Sequence, residues 1–508
     1  MDDRELKELE RWTERIMERA RREGLDFYDM RFEVVPADVL YAFGAYGMPT
    51  RFSHWSFGKA YHRMKTEYDY NLSRIYELVI NSNPCYAFLL DGNSLVQNKL
   101  VVAHVLAHSD FFKNNYRFRT TAPHHTVETM AAHAERIARY EFQYGREEVE
   151  QILDAALSLA EQVDPHPVGP RSRKTDELST APPSPEPSRP RTPYDDLWAL
   201  DERLKPRESE PASASTNRPR RVGFVPERER SGPEGQSRHR RRRARGLPEH
   251  PEKDLLLFLM EHSDYLEPWQ RDVLAMVREE MLYFWPQLET KVMNEGWATY
   301  WHLRLIRDEE MPEQEALEFA RMHAGVIQPH RLYLNPYLLG LKVWESIEKR
   351  WNEPTREEQE RFGRMPGQGR AKMFEVRELE TDVSFLSNYL TEELVEELNL
   401  FVFARHGDDW QVESTDWKQV RDTLVARLTH GGIPYIVVAD GDYRGAGELL
   451  LQHVYEGTEL DLRYLEKTLP YVYRLWGRPV HLETVVDEKP VLFSFDGEQQ
   501  RRTELKDR

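Results

Sequence analysis

Apolar residues recur at helical spacing along most of the chain before Leu398. Because this period gives each helix one apolar face, the region is predicted to be mainly α-helical. Extended segments are predicted at residues 27–35 and 76–90. The predicted helices cover residues 5–22, 94–112, 126–144, 251–263, 267–285, 287–306, 312–324 and 336–351.

Local sequence signals mark several of these helix boundaries. Ser94 and Gln97 have the form of a capping box, in which two side chains satisfy free backbone groups of the first turn. Asn335 is predicted to be an N-cap, with Pro336 in the first turn, where a proline is tolerated. Pro286 is predicted to break the chain between two helices, because a proline inside a helix removes a backbone hydrogen bond.

From about Leu398 the pattern changes to short runs of β-type residues, with helices predicted near 416–430 and 461–475. This order of strands and helices predicts a small α+β domain with a mostly antiparallel sheet. The fold class is therefore α+β, with a mainly α-helical N-terminal domain before it. The β-type runs are LNLFVFAR, DWQVES, PYIVVAD, GELLLQHVYEG, PVHLETVV and KPVLFSF.

Residues 165–250 interrupt the helical region with a composition of their own. They contain 15 of the 31 prolines, and 19 Lys and Arg residues against 13 Asp and Glu. Because so few apolar residues cannot offset the entropy cost of ordering, the segment is predicted to be a disordered basic insertion. The helical domain is then formed by 1–164 and 251–372, and a linker at 353–372 leads to the C-terminal domain at 373–508.

The net charge of −18 is unevenly distributed. Because the insertion carries a net +6, the rest of the chain carries −24. An acidic body repels nucleic acid, so nucleic-acid binding is not expected except through the basic run at residues 238–245. A solvated charge run is the alternative interpretation of that segment.

The single cysteine, Cys85, excludes an internal disulfide framework and a metal site built from several cysteines. The N-terminus has no apolar segment typical of a signal peptide, and no run approaches the roughly 18 apolar residues of a membrane span. The expected location is therefore the cytoplasm, with no membrane association.

His104 and His108 are four residues apart on a predicted helix. Both imidazoles then project from one face about one turn apart, which is the spacing by which one helix offers two nitrogens to a metal ion. Two histidines at this spacing can also be packed and hydrogen-bonded to protein groups. The spacing alone leaves both interpretations open.

Glu295 is the candidate for a third ligand, because it is a carboxylate within an otherwise apolar helix. Burying an unpaired carboxylate costs free energy, and either a metal ion or an arginine partner could offset that cost. Gly296 follows it and would allow another element to approach closely. His302 lies near the same face of the helix and could support the site or pack.

A His-x-x-x-His helix followed by a helix with Asn-Glu-Gly-aromatic-Ala resembles the ligand pattern of gluzincin-type zincin metallopeptidases. The resemblance implies a zincin-like helical domain, with zinc held by the two histidines and the glutamate. In those enzymes a glutamate after the first histidine acts as general base, but Val105 occupies that position. Asp110, Glu128 and His302 are therefore the candidates for a catalytic role.

A longer resemblance covers nearly the whole chain outside the insertion. Several long strings, in order, resemble the SpoVR family, stage V sporulation protein R. The C-terminal run GGIPYIVVADGDYRGAGELLLQHVYEGTELD is also similar to that family. The strings are YGMPTRFSHWSFGKAY, ELVINSNPCYAFLLDGN, VVAHVLAHSDFFKNN, DVLAMVREEMLYFWPQLETKVMNEGWATYWH, NPYLLGLKVWESIEKRW and LSNYLTEELVEELNLF.

The family resemblance implies a role in sporulation, through spore cortex formation, or in stress physiology. It also implies association with a PrkA-type serine kinase and a von Willebrand A-type protein. Two functional hypotheses follow. The first is a zinc-dependent hydrolase of peptide or peptidoglycan amide bonds. The second is a non-catalytic regulator or scaffold of the kinase system, with a structural metal site or a polar core.

Overall fold

A computed structural model describes residues 2–70, 77–166, 248–307, 311–329, 334–406 and 409–505. The described residues up to Pro165 and from Pro248 form one compact unit. Most of the predicted insertion, including the basic run at 238–245, lies outside the described residues. No helix within the described ranges combines the length and apolarity that crossing a bilayer requires.

Helices dominate the structure, as the hydrophobic pattern predicts, and this part of the predicted fold class is confirmed. The capping box at Ser94 and Gln97 is present, and Asn335 caps the helix that begins at Pro336. Before the insertion the helices are α1 (Asp3–Arg22), α2 (Ala37–Tyr46), α3 (Trp55–Asp69), α4 (Leu95–Asn114), α5 (Thr126–Tyr144) and α6 (Arg146–Ser158).

The second group of helices follows the insertion and continues into the C-terminal region. These helices are α7 (Leu255–His262), α8 (Pro268–Glu289), α9 (Lys291–Arg307), α10 (Glu313–Val326), α11 (Pro336–Asn352), α12 (Arg356–Phe362), α13 (Gly369–Leu379), α14 (Asp382–Tyr389), α15 (Glu392–Glu397), α16 (Trp417–Leu428) and α17 (Leu462–Trp476). The segment predicted to be a linker, 353–372, contains α12 and the start of α13.

The predicted helix break at Pro286 is wrong. Helix α8 continues through Pro286 and ends at Glu289, and the next helix begins at Lys291. Pro286 and Trp285 are both buried. Packing against the core therefore outweighs the lost backbone hydrogen bond that a proline imposes on a helix.

The strands form one small N-terminal sheet, a two-stranded pair and one five-stranded C-terminal sheet. In the C-terminal sheet the strand order is β10-β9-β8-β7-β6, and only β7 and β8 are parallel. The predicted, mostly antiparallel sheet is confirmed. The strands are β1 (Met30–Val35), β2 (Glu77–Ile80), β3 (Cys85–Leu90), β4 (Val402–His406), β5 (Asp409–Ser414), β6 (Ile436–Tyr443), β7 (Glu448–His453), β8 (Val480–Val486), β9 (Lys489–Phe495) and β10 (Gln500–Glu504).

Two large apolar cores, beside a smaller one around Leu40 and Phe88, hold these elements together. The larger core packs α1, α4, α9 and α11 around one another and extends to Val402 and Val420. The second core packs α6, α7 and α8 against α17 and one face of the five-stranded sheet. Each core combines residues from before and after the insertion. The domain boundary at 372 and 373 stays a prediction.

The segments that flank the insertion are hydrogen-bonded to each other. The backbone N–H of Leu255 donates to the carbonyl oxygen of Gln162 at 2.9 Å. Lys253 Nζ donates to Gln162 Oε1 at 3.0 Å, and the backbone N–H of Asp164 donates to Asp254 Oδ2 at 3.2 Å. The chain therefore resumes, after residues 167–247, beside the point at which it left the core.

Helices α9 and α11 approach each other until their backbones touch. A Cβ atom added to Gly296 would lie 2.3 Å from the carbonyl carbon of Gly340. One added to Gly340 would lie 2.2 Å from the carbonyl oxygen of Val292. The close approach predicted at Gly296 is thus present. It fixes the first half of α9 against a buried neighbour, next to Glu295.

Candidate metal centre

Helix α4 presents His104 and His108 from the centre of the larger core. The helix is buried along most of its length, and the two histidines are 3% and 5% exposed. Their ring centroids are 4.6 Å apart, with the ring planes at 82°. The helical spacing thus brings two buried imidazoles side by side, as the sequence predicts.

Glu295 on α9 completes a cluster with these histidines. Its Oε2 atom lies 3.7 Å from His104 Nε2 and 3.5 Å from His108 Nε2. The three candidate ligand atoms all lie within 4.8 Å of one another. Ligands about 2.1 Å from a tetrahedral zinc ion are about 3.4 Å apart, so the observed separations leave room for one ion.

The carboxylate of Glu295 is held in its ionised form. Burial alone would raise the pKa of Glu295. The interactions with His104 and His108 lower it by more than burial raises it, so this pKa lies well below its usual range. Oε2 is a buried atom without a hydrogen bond among the described residues. The side chain as a whole is 20% exposed, so Glu295 lies nearer the surface than the two histidines.

Asn294 fixes the orientation of His108. His108 Nδ1 lies 2.9 Å from Asn294 Oδ1. Because an amide oxygen only accepts, Nδ1 donates its proton, and in the neutral ring this leaves the lone pair of Nε2 for a metal ion. Sequence reasoning missed this residue, although Asn294 stands directly before Glu295 in the Asn-Glu-Gly motif.

His302 lies behind His104, on the side away from Glu295. Its Nδ1 atom is 2.9 Å from His104 Nδ1, and its Nε2 atom is 3.0 Å from Nδ1 of His323 on α10. Burial and then the neighbouring histidines lower the pKa of His302 well below its usual value, and burial lowers the pKa of His323. Sequence reasoning missed His323, because no helical spacing connects it to the cluster.

The other two candidate catalytic residues lie elsewhere. Asp110 is fully buried and accepts hydrogen bonds from Arg377 at 2.6 Å and from Trp297 Nε1 at 2.9 Å. The Glu128 side chain is 83% exposed and lies 3.9 Å from His125 Nδ1. Among the interactions described for these two carboxylates, none reaches the three candidate ligands. Their catalytic roles stay predictions.

Asp382 supports the start of the helix that carries Glu295. Its two carboxylate oxygens accept hydrogen bonds from the backbone N–H groups of Val292 and Met293, each at 2.8 Å. The carbonyl oxygen of Met293 accepts a further bond from Trp344 Nε1 at 3.0 Å. The turn immediately before Glu295 is therefore fixed by side chains from α14 and α11.

Two family models together match residues 3–487 of the chain. The model of the family described as SpoVR like protein matches residues 3–433, and that of the SpoVR-like C-terminal domain matches residues 434–487. The chain therefore belongs to the SpoVR family, as its long sequence strings predict. No solved structure matches it.

A similar relative is the uncharacterized protein YcgB of Escherichia coli (strain K12). It is 30% identical over 490 residues, which cover 90% of this chain and 88% of that protein. Because the match covers 90% of this chain, it includes the proposed ligand helices α4 and α9.

Proposed function

We propose that this chain is a zinc-binding protein whose His104, His108 and Glu295 hold the ion, and that the resulting centre hydrolyses amide bonds of peptides or peptidoglycan. The observation that carries the proposal is the convergence of two imidazoles and one ionised carboxylate, each buried or partly buried, from two helices. Such a set of nitrogen and oxygen donors suits zinc.

The geometry of the cluster fits a centre with an open coordination position. The three side chains would supply three ligands to a tetrahedral ion, and the Glu295 side chain is partly exposed. A zinc ion with three protein ligands and an open position supplies Lewis-acid chemistry for hydrolysis. His108, oriented by Asn294, and Glu295, which follows the fixed start of α9, would hold such an ion.

The substrate class rests on resemblance. The ligand pattern is similar to that of gluzincin peptidases, and the SpoVR family is tied to spore cortex formation. In a cytoplasmic protein, a peptidoglycan substrate would be a precursor or a recycled fragment rather than the mature cell wall. Sporulation, or stress physiology in organisms without spores, is the proposed biological setting.

A regulatory or scaffold role is the second candidate, and one specific observation favours it. Val105, at the position of the usual general base, is fully buried within the apolar core. Asp110, the nearest carboxylate on α4, forms an ion pair with Arg377 and is therefore not free to act as the general base. In this role the cluster is a structural metal site or a polar core, and the partners are a PrkA-type serine kinase and a von Willebrand A-type protein.

Metal content tests whether the chain binds zinc at all, which both a catalytic and a structural metal site require. The purified wild-type chain is expected to contain one zinc ion per molecule by inductively coupled plasma mass spectrometry. The variants His104→Ala and Glu295→Ala are expected to lose that metal. His62→Ala is the matched control, because His62 is exposed on α3 and remote in sequence from the ligands. A wild-type chain without stoichiometric metal would overturn the proposal.

The coordination number separates the two roles once zinc is found. X-ray absorption of the zinc-loaded protein is expected to show two imidazoles, one carboxylate and one exchangeable light ligand. Hydrolysis of peptides or of soluble peptidoglycan fragments by wild type, and its loss in Glu295→Ala, would complete the case for catalysis. A closed shell of four protein ligands would instead support the structural role.

A further inference from the structure

Three imidazoles from three helices form a continuous hydrogen-bonded chain that begins at the proposed metal ligand His104. His302 is the middle member and is completely buried, at 0% exposure. His323 is the outer member and is only partly buried. The two nitrogen–nitrogen distances are 2.9 Å and 3.0 Å, which are within hydrogen-bonding range.

Each of these contacts requires one N–H and one lone pair, because two protonated nitrogens, or two bare ones, cannot form a hydrogen bond. A neutral imidazole has one of each. Fixing the proton on one ring therefore fixes it on the next two. If His104 offers the lone pair of Nε2 to a zinc ion, its Nδ1 donates to His302, and His302 Nε2 donates to His323.

We infer that His302 and His323 are positioning residues, which hold His104 in the tautomer that leaves its Nε2 lone pair for the proposed zinc ion. The inference rests on the proposed zinc site and adds helix α10 to it. A ligating histidine usually donates its other N–H to a neighbouring group, which fixes the ring and its tautomer. Here that neighbour is another histidine, and a third histidine holds it in turn.

Helix α10 is anchored so that His323 stays at the end of this chain. Lys99 Nζ donates to Glu315 at 2.8 Å, and Ser94 Oγ donates to Glu318 at 2.5 Å, which ties α10 to the start of α4. Phe319, 8% exposed, stacks on His323 with the rings at 11°. The helix that carries the metal-binding histidines thus also positions the helix that supports them.

Simple packing of three histidines would make a different prediction. A ring that only fills space is replaceable by an apolar residue of similar size. A ring that must accept a proton from His104 is replaceable only by another acceptor. His302→Leu and His302→Gln separate these cases, since glutamine offers a carbonyl oxygen to His104 Nδ1 and leucine does not.

Zinc affinity of the full chain, measured by competition with a chelating dye, is the first test. His302→Leu is expected to weaken zinc binding by about 10- to 100-fold, the usual effect of losing such a supporting group. His302→Gln is expected to recover most of the affinity, and His323→Leu to weaken it less than His302→Leu. Exposed His62→Gln is the control and should leave the affinity unchanged. Equal affinity in wild type and His302→Leu would overturn the inference.

Nitrogen NMR of the wild-type chain with labelled histidines is the second test and does not depend on any variant folding. The zinc-loaded protein is expected to show protons on His104 Nδ1 and His302 Nε2, with a nitrogen–nitrogen coupling between His104 and His302. A proton on His104 Nε2 would overturn the inference.

The two proposals fail in different ways. A wild-type chain that binds no zinc contradicts the proposed function and removes the inference with it, because His104 Nε2 would then carry a proton toward Glu295. A chain that binds zinc, but with the same affinity after His302→Leu, keeps the proposed function and removes the role of His302 and His323.

Discussion

Three buried or partly buried carboxylates near α9 illustrate how single residues acquire different roles. Asp110 is compensated by Arg377 and Trp297, and Asp382 by two backbone N–H groups. Glu295 faces two imidazoles instead. A buried charge needs such partners, and the type of partner separates an ion pair and a helix cap from a candidate ligand.

Asp382 is expected to make stability depend on pH in an unusual direction. Burial raises its pKa to about 7, although the N–H groups of Met293 and Val292 lower it in part. Between its ordinary value and about 7, the unfolded chain loses the proton while the folded chain keeps it. The contribution of Asp382 to stability therefore falls as pH rises through this window, by on the order of a few kcal/mol.

The variant Asp382→Asn isolates this effect, because it keeps the size of the side chain and one acceptor oxygen. Urea unfolding of both proteins, with a chelator present, should be compared from about pH 4 to about pH 8. The stability of wild type relative to the variant should fall as pH rises. A constant difference across the range would show that Asp382 titrates as an ordinary exposed aspartate.

The candidate ligands and His302 could be predicted from single residues, but the other supporting residues could not. The period of a helix fixes His104 and His108 on one face, and an isolated glutamate in an apolar helix stands out. Asn294 and His323 carry no such signal, because their roles depend on the rotation of α9 and the docking of α10. Those are consequences of packing between helices that are distant in sequence.

At the level of elements, the contact between α9 and α11 is the tightest constraint on the site. The two backbones meet at Gly296 and Gly340, and the atoms that a side chain would strike belong to the backbone. Such atoms cannot move aside as a flexible side chain would. The contact therefore fixes α9 along its axis, and Glu295 with it.

Gly296→Ala is expected to destabilise the protein by at least about 3 kcal/mol, at the upper end of ordinary overpacking. It should also reduce zinc content, because α9 must shift to relieve the clash. Gly58→Ala on exposed α3 is the matched control, since a Cβ atom there meets nothing within 4 Å. It should gain about 0.5–1 kcal/mol from helix propensity.

Thermal unfolding and metal analysis of the two glycine variants provide the measurement. If Gly296→Ala unfolds at the wild-type temperature and keeps its zinc, the approach of α9 and α11 does not control the position of Glu295. A loss of stability without a loss of zinc would confine the role of the contact to folding.

Most of the predicted helices and strands are present, but the break at Pro286 is wrong, and helices such as α3, α6 and α14 lie where none was predicted. The helical period, the capping box at Ser94 and the alternating β-type runs all depend on residues close in sequence. The predicted break at Pro286 was wrong because the effect of a proline in a helix is decided here by tertiary packing, and the local pattern does not contain that information.

For the whole molecule, the junction at the insertion is the informative feature. The hydrogen bonds that join Gln162 and Asp164 to Leu255, Lys253 and Asp254 close the gap between the flanking segments. The looped-out arrangement that the sequence requires for a site shared by α4 and α9 is compatible with this junction.

Deleting residues 168–246 and joining the ends with a short Gly-Ser linker is expected to leave the fold and the zinc content unchanged. Stability should stay the same or rise slightly, because each halving of a loop recovers only about 0.6 kcal/mol. Circular dichroism, thermal unfolding and zinc analysis would check this. Loss of fold or of zinc would show that the excised segment contributes contacts to the compact unit.

The same junction means that chain connectivity contributes little to joining the two sides of the insertion. Both cores interleave residues from before and after it, so each side leaves large apolar surfaces that only the other can cover. The segments before and after residues 167–247 therefore pack against each other as two subunits of a heterodimer would, although they belong to one polypeptide. The proposed metal ion, held by His104 and His108 on one segment and by Glu295 on the other, would then be an additional link between the two segments.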